Sequence, residues 1–131
     1  MTELTITRPD DWHVHLRDGD ALVHTCADMA RYFQRAIVMP NLTPPVTTVA
    51  AAASYRDRIM AAQEALPRTF DPLMTLYLTD TTDAAEIQLA AASEFVHAIK
   101  LYPAGATTNS DAGVAKLDSL FPTLAAMEEV D

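Results

Sequence analysis

Ala36-Ile37-Val38-Met39-Pro40-Asn41 is a run of four apolar residues closed by proline and asparagine. No polar residue alternates through it, so neither face suits water, and a short unbroken apolar run is what a strand covered on both sides requires. Proline then removes a backbone donor and ends the strand. Three other strand-like runs are largely apolar: Trp12 to Leu16, Leu73 to Leu78 and Val96 to Leu101. Helical patterns separate them. After Asp18-Gly19-Asp20, which carries turn and cap residues, Leu22, Cys26, Met29 and Phe33 recur at helical spacing. A second helix is predicted from Thr48 to Ala65, with Tyr55, Ile59 and Ala62 on one side and Pro67 marking its end. Asp83-Ala84-Ala85-Glu86 has the D-x-x-E form of a helix start. A last helix from about Ser119 carries Leu120, Leu124 and Met127, and it tolerates Pro122 only in its first turn. Thr43-Pro44-Pro45 is expected to keep its loop extended, and Ala104 to Lys116, without apolar period, reads as a long loop.

Four strand–helix units in succession predict an α/β fold with a parallel sheet and helices outside it. An open doubly wound sheet and a (βα)8 barrel compete. No G-x-G-x-x-G or G-x-x-x-x-G-K-[ST] stretch occurs, so a nucleotide-binding open sheet has little support. In a barrel the chemistry sits at the C-terminal ends of strands. His13, His15 and Arg17 close the first run, Asn41 the second, and Lys100 the fourth. That distribution favours an α/β fold that is part of a (βα)8 barrel. A full barrel takes ~250 residues, so the other half of the barrel is an expected partner. Without it the first and fourth strands would keep open apolar edges.

Bulk composition narrows the partners. The 131 residues are 50% hydrophobic and 21% charged, as in an ordinary globular protein. Nine Lys and Arg stand against 18 Asp and Glu, for a net charge of -9, and no basic cluster offers itself to nucleic acid. The single cysteine, Cys26, has no internal partner and falls at an apolar helix position, which fits a reducing cytoplasm. No apolar run approaches the ~20 residues of a membrane span.

Two patterns carry chemistry. His13 and His15 in Asp11-Trp12-His13-Val14-His15-Leu16-Arg17-Asp18 are two apart, so in a strand their imidazoles share a side, as metal ligands would. A chance pair, or histidines hydrogen-bonded within a core, reads the same. Lys100 stands inside the apolar run Phe95-Val96-His97-Ala98-Ile99-Lys100-Leu101-Tyr102, in phase with Ala98 and Tyr102. Such a lysine either snorkels to water or is desolvated with a lowered pKa. In the second case its amine could add CO2 to give a carbamate, an anionic oxygen ligand for metal. His24 and His97 lie on other faces, Cys26 reads as core, and Asp18 either caps the following helix or orients a neighbouring histidine or arginine.

Trp12 to Arg17, Met39-Pro40-Asn41 and above all Lys100-Leu101-Tyr102-Pro103-Ala104-Gly105-Ala106-Thr107-Thr108-Asn109-Ser110 closely resemble the dihydroorotases of the shorter bacterial type, within the metal-dependent amidohydrolases. The resemblance runs along essentially the whole chain and implies that residues 1–131 are the N-terminal half, about four βα units, of a (βα)8 TIM barrel. It implies a zinc-dependent enzyme that reversibly cyclises N-carbamoyl-L-aspartate to dihydroorotate in pyrimidine biosynthesis. It implies two Zn2+ per complete site, with His13 and His15 as metal ligands and Lys100, carrying a CO2-derived carbamate, as the bridging ligand. Arg17 and Asn41 then take the places that hold the substrate's carboxylate, and Thr107 and Thr108 match a mobile loop that covers it. The remaining metal ligands and the general base are expected from later strands, so no catalytic base is expected here and the isolated segment is expected to be inactive. A homodimer is also implied. Other readings are a different cyclic amidohydrolase, such as a hydantoinase-like enzyme, and a non-catalytic half-barrel association module.

Overall fold

The computed structural model describes residues 2–106 and 108–130. Its elements are β1 (Asp11–Val14), α1 (Asp20–Tyr32), β2 (Arg35–Val38), α2 (Val49–Gln63), β3 (Asp71–Tyr77), α3 (Ala84–Ala91), β4 (Val96–Lys100) and, after a 3-10 turn at Leu117–Leu120, α4 (Phe121–Val130). All three strand pairings are parallel, and the sheet order is β1-β2-β3-β4. Each strand thus lies beside its predecessor. A doubly wound sheet reverses its order at some point, whereas a barrel keeps stepping one way. The sequential order is that of barrel units.

The core forms where the apolar runs meet the helix stripes. Ala36 and Val38 of β2 and Met74 and Leu76 of β3 point to one side and pack with Leu22 and Cys26 of α1 and Tyr55 and Ile59 of α2. Central β3 is buried from Met74 to Tyr77, as its mostly apolar run demands. Thr75 resolves its hydroxyl by donating to Val38 O at 2.5 Å. Burial drives the Cys26 thiol up to a pKa of about 11, which leaves it an inert core group. Among the described residues, no helix is long and apolar enough to cross a membrane.

Helix starts follow their caps. Thr48 accepts from Ala51 N at 3.1 Å and Asp83 from Glu86 N at 2.9 Å. The D-x-x-E pattern at α3 is not a reciprocal box, however. Glu86 turns instead to the neighbouring helix and accepts from Val49 N, the first residue of α2, at 2.6 Å. Gly19 precedes α1 with no side-chain cap, and Asp18, one residue earlier, is engaged elsewhere.

Two loops depart from expectation, and a third, expected as a loop, is tied to itself. β1 ends at Val14, two residues short of the predicted Leu16, because Leu16 drops into the core and Arg17 turns left-handed at φ 64°. The loop after β2 does not run extended. Its Thr43–Pro44 bond is cis, and Val46 N donates back to Pro40 O at 2.9 Å. The stretch after β4 is compact: Val114 N donates to Tyr102 O at 2.8 Å and Ala104 N to Val114 O at 3.0 Å, making a parallel bridge between Pro103 and Val114.

Candidate active site

The C-terminal ends of β1, β2 and β4 open into one cleft of about 300 Å³ lined by His13, His15, Arg17, Asn41, Lys100, Tyr102 and Thr108. Six of the predicted site residues, from four separated segments, therefore meet at one place. Thr107 lies outside the described residues. A parallel sheet brings this about, because strands running the same way release their following residues at the same edge.

The histidines are held by β1 and its exit. Their Nε2 atoms stand 3.3 Å apart, with ring centroids 5.2 Å apart and planes inclined at 53°. Both rings thus turn the same nitrogen toward one point, as the two-residue spacing predicts. Burial, reinforced by the charges of Lys100, Arg17 and His13, lowers the His15 pKa to about 4. A neutral imidazole is the form that ligates metal. Among the described residues no group of three or more His, Cys, Asp or Glu is arranged around a metal position. The histidine pair fits part of a ligand set, with Lys100 as the neighbouring group able to extend it once modified.

Lys100, the last residue of β4, does not snorkel. Its Nζ donates to Asn41 Oδ1 at 3.2 Å and lies 5.2 Å from the centre of the Tyr102 ring. Burial first, and then the nearby Arg17 charge, lower its pKa below the ordinary lysine value. Asn41 is only 4% exposed and uses both ends of its amide, since its Nδ2 also donates to Thr108 O at 3.4 Å. Asn109 Nδ2 returns a bond to Asn41 O at 3.4 Å. The post-β4 loop thus closes on Asn41 through the Thr108 backbone and the Asn109 side chain.

Arg17 faces the cleft from a non-glycine left-handed position. Its carbonyl accepts from the Tyr55 hydroxyl at 2.5 Å, while Asp18 next to it is gripped by Arg58, with Nε to Oδ1 at 3.0 Å and Nη2 to Oδ2 at 2.7 Å. Asp18 therefore neither caps α1 nor touches a histidine. Tyr55, Arg58 and Tyr102 were not among the predicted site residues. Tyr102 could have been found from its phase with Lys100. Tyr55 and Arg58 had no local signal, because their partners lie 38 and 40 residues away.

A model of the amidohydrolase family matches residues 9–125. The chain belongs to the amidohydrolase family. Among its relatives, this amidohydrolase chain is 65% identical over 130 residues to the dihydroorotase of Laribacter hongkongensis (strain HLHK9), covering 99% of the chain and 38% of that protein. It is 65% identical over 127 residues to the dihydroorotase of Pseudomonas aeruginosa (strain LESB58), covering 97% of the chain and 36% of that protein. The dihydroorotase structure from Campylobacter jejuni superposes with a TM-score of 0.83 at 39% identity, covering 94% of this chain and 36% of that one. Dihydroorotase from Saccharomyces cerevisiae, in complex with 5-fluoroorotic acid, gives 0.79 at 34% identity, covering 93% and 33%. The chain thus spans little more than a third of the length of these curated relatives. The expected architecture, about four βα units from the N-terminal portion of a TIM barrel, is borne out by these structural neighbours.

Proposed function

We propose that these four units form one wall of a dihydroorotase active site, which reversibly interconverts N-carbamoyl-L-aspartate and dihydroorotate with two zinc ions. The observation that carries the reading is the meeting of His13, His15, Lys100, Arg17 and Asn41 in a single cleft. Ring closure joins the ureido nitrogen to the side-chain carboxyl carbon and releases water, and ring opening reverses this. Bound zinc would supply Lewis acidity toward the reacting carbonyl and a more acidic water.

The chain's own residues have separable tasks in this scheme. His13 and His15 would hold one metal through their ring nitrogens. Lys100, whose lowered pKa leaves more of its amine uncharged, adds CO2 through the nitrogen lone pair and loses a proton. The resulting carbamate would offer anionic oxygens as metal ligands. Arg17 holds the substrate's carboxylate with a planar fork, and Asn41 assists through its amide. Thr107 and Thr108 cover the bound substrate. The likeness to dihydroorotases is also the basis for proposing that further ligands and the general base come from other barrel units. It equally supports a homodimer working in the cytoplasm.

The test uses the complete barrel. Lys100→Ala is expected to abolish turnover, and near-wild-type activity without added carboxylic acids would refute the carbamate role. Arg17→Ala is expected to raise KM for dihydroorotate with zinc content retained. Turnover of hydantoins but not of dihydroorotate would overturn the substrate assignment.

A further inference from the structure

The turn that carries Arg17 is held in an unfavourable backbone conformation by a helix that does not reach the cleft. Arg17 has φ 64° although it is not glycine. A side chain in the left-handed region is disfavoured and persists only where the surroundings over-determine it. On one side Leu16 is fully buried, and its carbonyl accepts from the Thr25 hydroxyl at 2.7 Å. On the other, Asp18 takes two bonds from Arg58, whose Nη1 also donates to Ser54 O at 3.0 Å. Between these anchors the remaining freedom is rotation of the Arg17 peptide. The hydroxyl of Tyr55, a residue 1% exposed, fixes it by donating to Arg17 O. Tyr55 and Arg58 both come from α2, and neither lines the cleft.

We propose that Tyr55 and Arg58 are positioning residues that set the cleft's affinity for carboxylate by holding Arg17 left-handed and turned toward the bound ligand. The proposal rests on the reading of Arg17 as the carboxylate-binding residue. It makes discrimination between acidic and neutral rings a property of the α2 contact as well as of the cleft itself.

The test compares Tyr55→Phe, Arg58→Ala and Arg17→Ala in the complete zinc enzyme. Tyr55→Phe removes one oxygen and preserves the packed ring, and Arg58→Ala alters a half-exposed side chain, so at least one folded variant is available. Both are expected to raise KM for dihydroorotate, by about tenfold for Tyr55→Phe, the factor worth one hydrogen bond of ~1.4 kcal/mol. We expect kcat to stay within about twofold, far less than that factor, with zinc content unchanged. Dihydrouracil, the same ring without the carboxylate, should inhibit wild type and variants equally. Unchanged KM in both α2 variants, alongside a raised KM in Arg17→Ala, overturns this proposal alone. Equal weakening of dihydroorotate and dihydrouracil also overturns it. An unchanged KM in Arg17→Ala overturns the underlying reading and this proposal with it.

Discussion

Gly113→Ala has a sign that the loop geometry decides. Gly113 does not sit in the left-handed region, unlike Gly19 and Gly105, so its backbone conformation places no bar on alanine. Unfolded-state entropy alone would then make the change stabilising by about 0.4–1 kcal/mol. A Cβ there would meet Tyr102 O at 2.5 Å, Ser110 O at 3.0 Å and Ala104 N at 3.1 Å, all of them backbone atoms. Backbone held by hydrogen bonds cannot swing aside as a side-chain tip can. The overpacking cost should therefore prevail, at about 2 kcal/mol. The damage should be local, because Tyr102 O and Ala104 N are the groups that bridge to Val114. Native-state hydrogen exchange in the complete enzyme reads this directly. Protection of the Ala104 and Val114 amides should fall about thirtyfold, the equivalent of ~2 kcal/mol. Gly105→Ala is the control. It has φ 71° and open space around its Cβ, so it should cost only the left-handed penalty of about 1 kcal/mol. Equal or greater protection in Gly113→Ala than in wild type would refute the close-approach reasoning.

Gln63→Leu should destabilise by about 1–3 kcal/mol in chemical denaturation, because Gln63 is fully buried and its Oε1 accepts from Phe70 N at 2.8 Å, leaving that amide orphaned. Glu86→Ala should cost about 1 kcal/mol and show as raised exchange at the Val49 amide, which it accepts. Asp18→Asn tests a pH dependence. The Arg58 hydrogen bonds lower the Asp18 pKa in the folded protein, so its contribution is fully present above the unfolded carboxylate value of about 3.9 and is lost as pH falls through the lowered one. The variant should lose less than about 1 kcal/mol near neutrality, since both partners are partly solvated, and should show a shallower acid limb in denaturation titrations. An acid limb identical to that of wild type would contradict this.

What the sequence disclosed follows the range of the interactions involved. β2 and β3 announced themselves because a covered strand is apolar along most of its length, and β4 through its apolar run even though His97 and Ala98 are exposed; each was found within two residues of its predicted limits. His13 and His15 were legible from their two-residue spacing, although only His13 lies within β1 and His15 follows its end. Lys100 stood out because a charge in an apolar strand needs a reason. The rest depended on partners far along the chain. Asp18 offered a cap by its position, yet its carboxylate was claimed by Arg58. Tyr55 matched the apolar stripe of α2 and is indeed buried, but its hydroxyl reaches back to Arg17 O, and no periodicity encodes that. Glu86 completed a local motif on paper and instead served α2. The post-β4 stretch lacked any period because its order comes from backbone pairing closed around Gly113 rather than from a buried stripe.

These contacts divide the cleft into two mechanically different parts. His13 and Lys100 belong to the two edge strands, each held by ladder bonds to one neighbour, with His15 just past the end of β1. Arg17, Asn41 and Thr108 belong to loops, and each depends on a tie from elsewhere: Tyr55 to Arg17 O, Lys100 Nζ to Asn41 Oδ1, and Asn41 Nδ2 to Thr108 O. The pairing suits the proposed chemistry. Metal ligands must hold their spacing through every turnover, whereas carboxylate-binding groups must admit and release a substrate. Asn41 joins the two parts, since its amide bonds the strand lysine at one end and the loop at the other. If Lys100 becomes a carbamate, its terminal oxygens can only accept, but Nζ keeps one N–H that can still donate to Asn41 Oδ1. Asn41 then needs no flip, its Nδ2 stays on Thr108 O, and Asn109 Nδ2 still holds Asn41 O. Lysine modification is therefore compatible with a closed loop, and the metal side can be loaded without disturbing the carboxylate side.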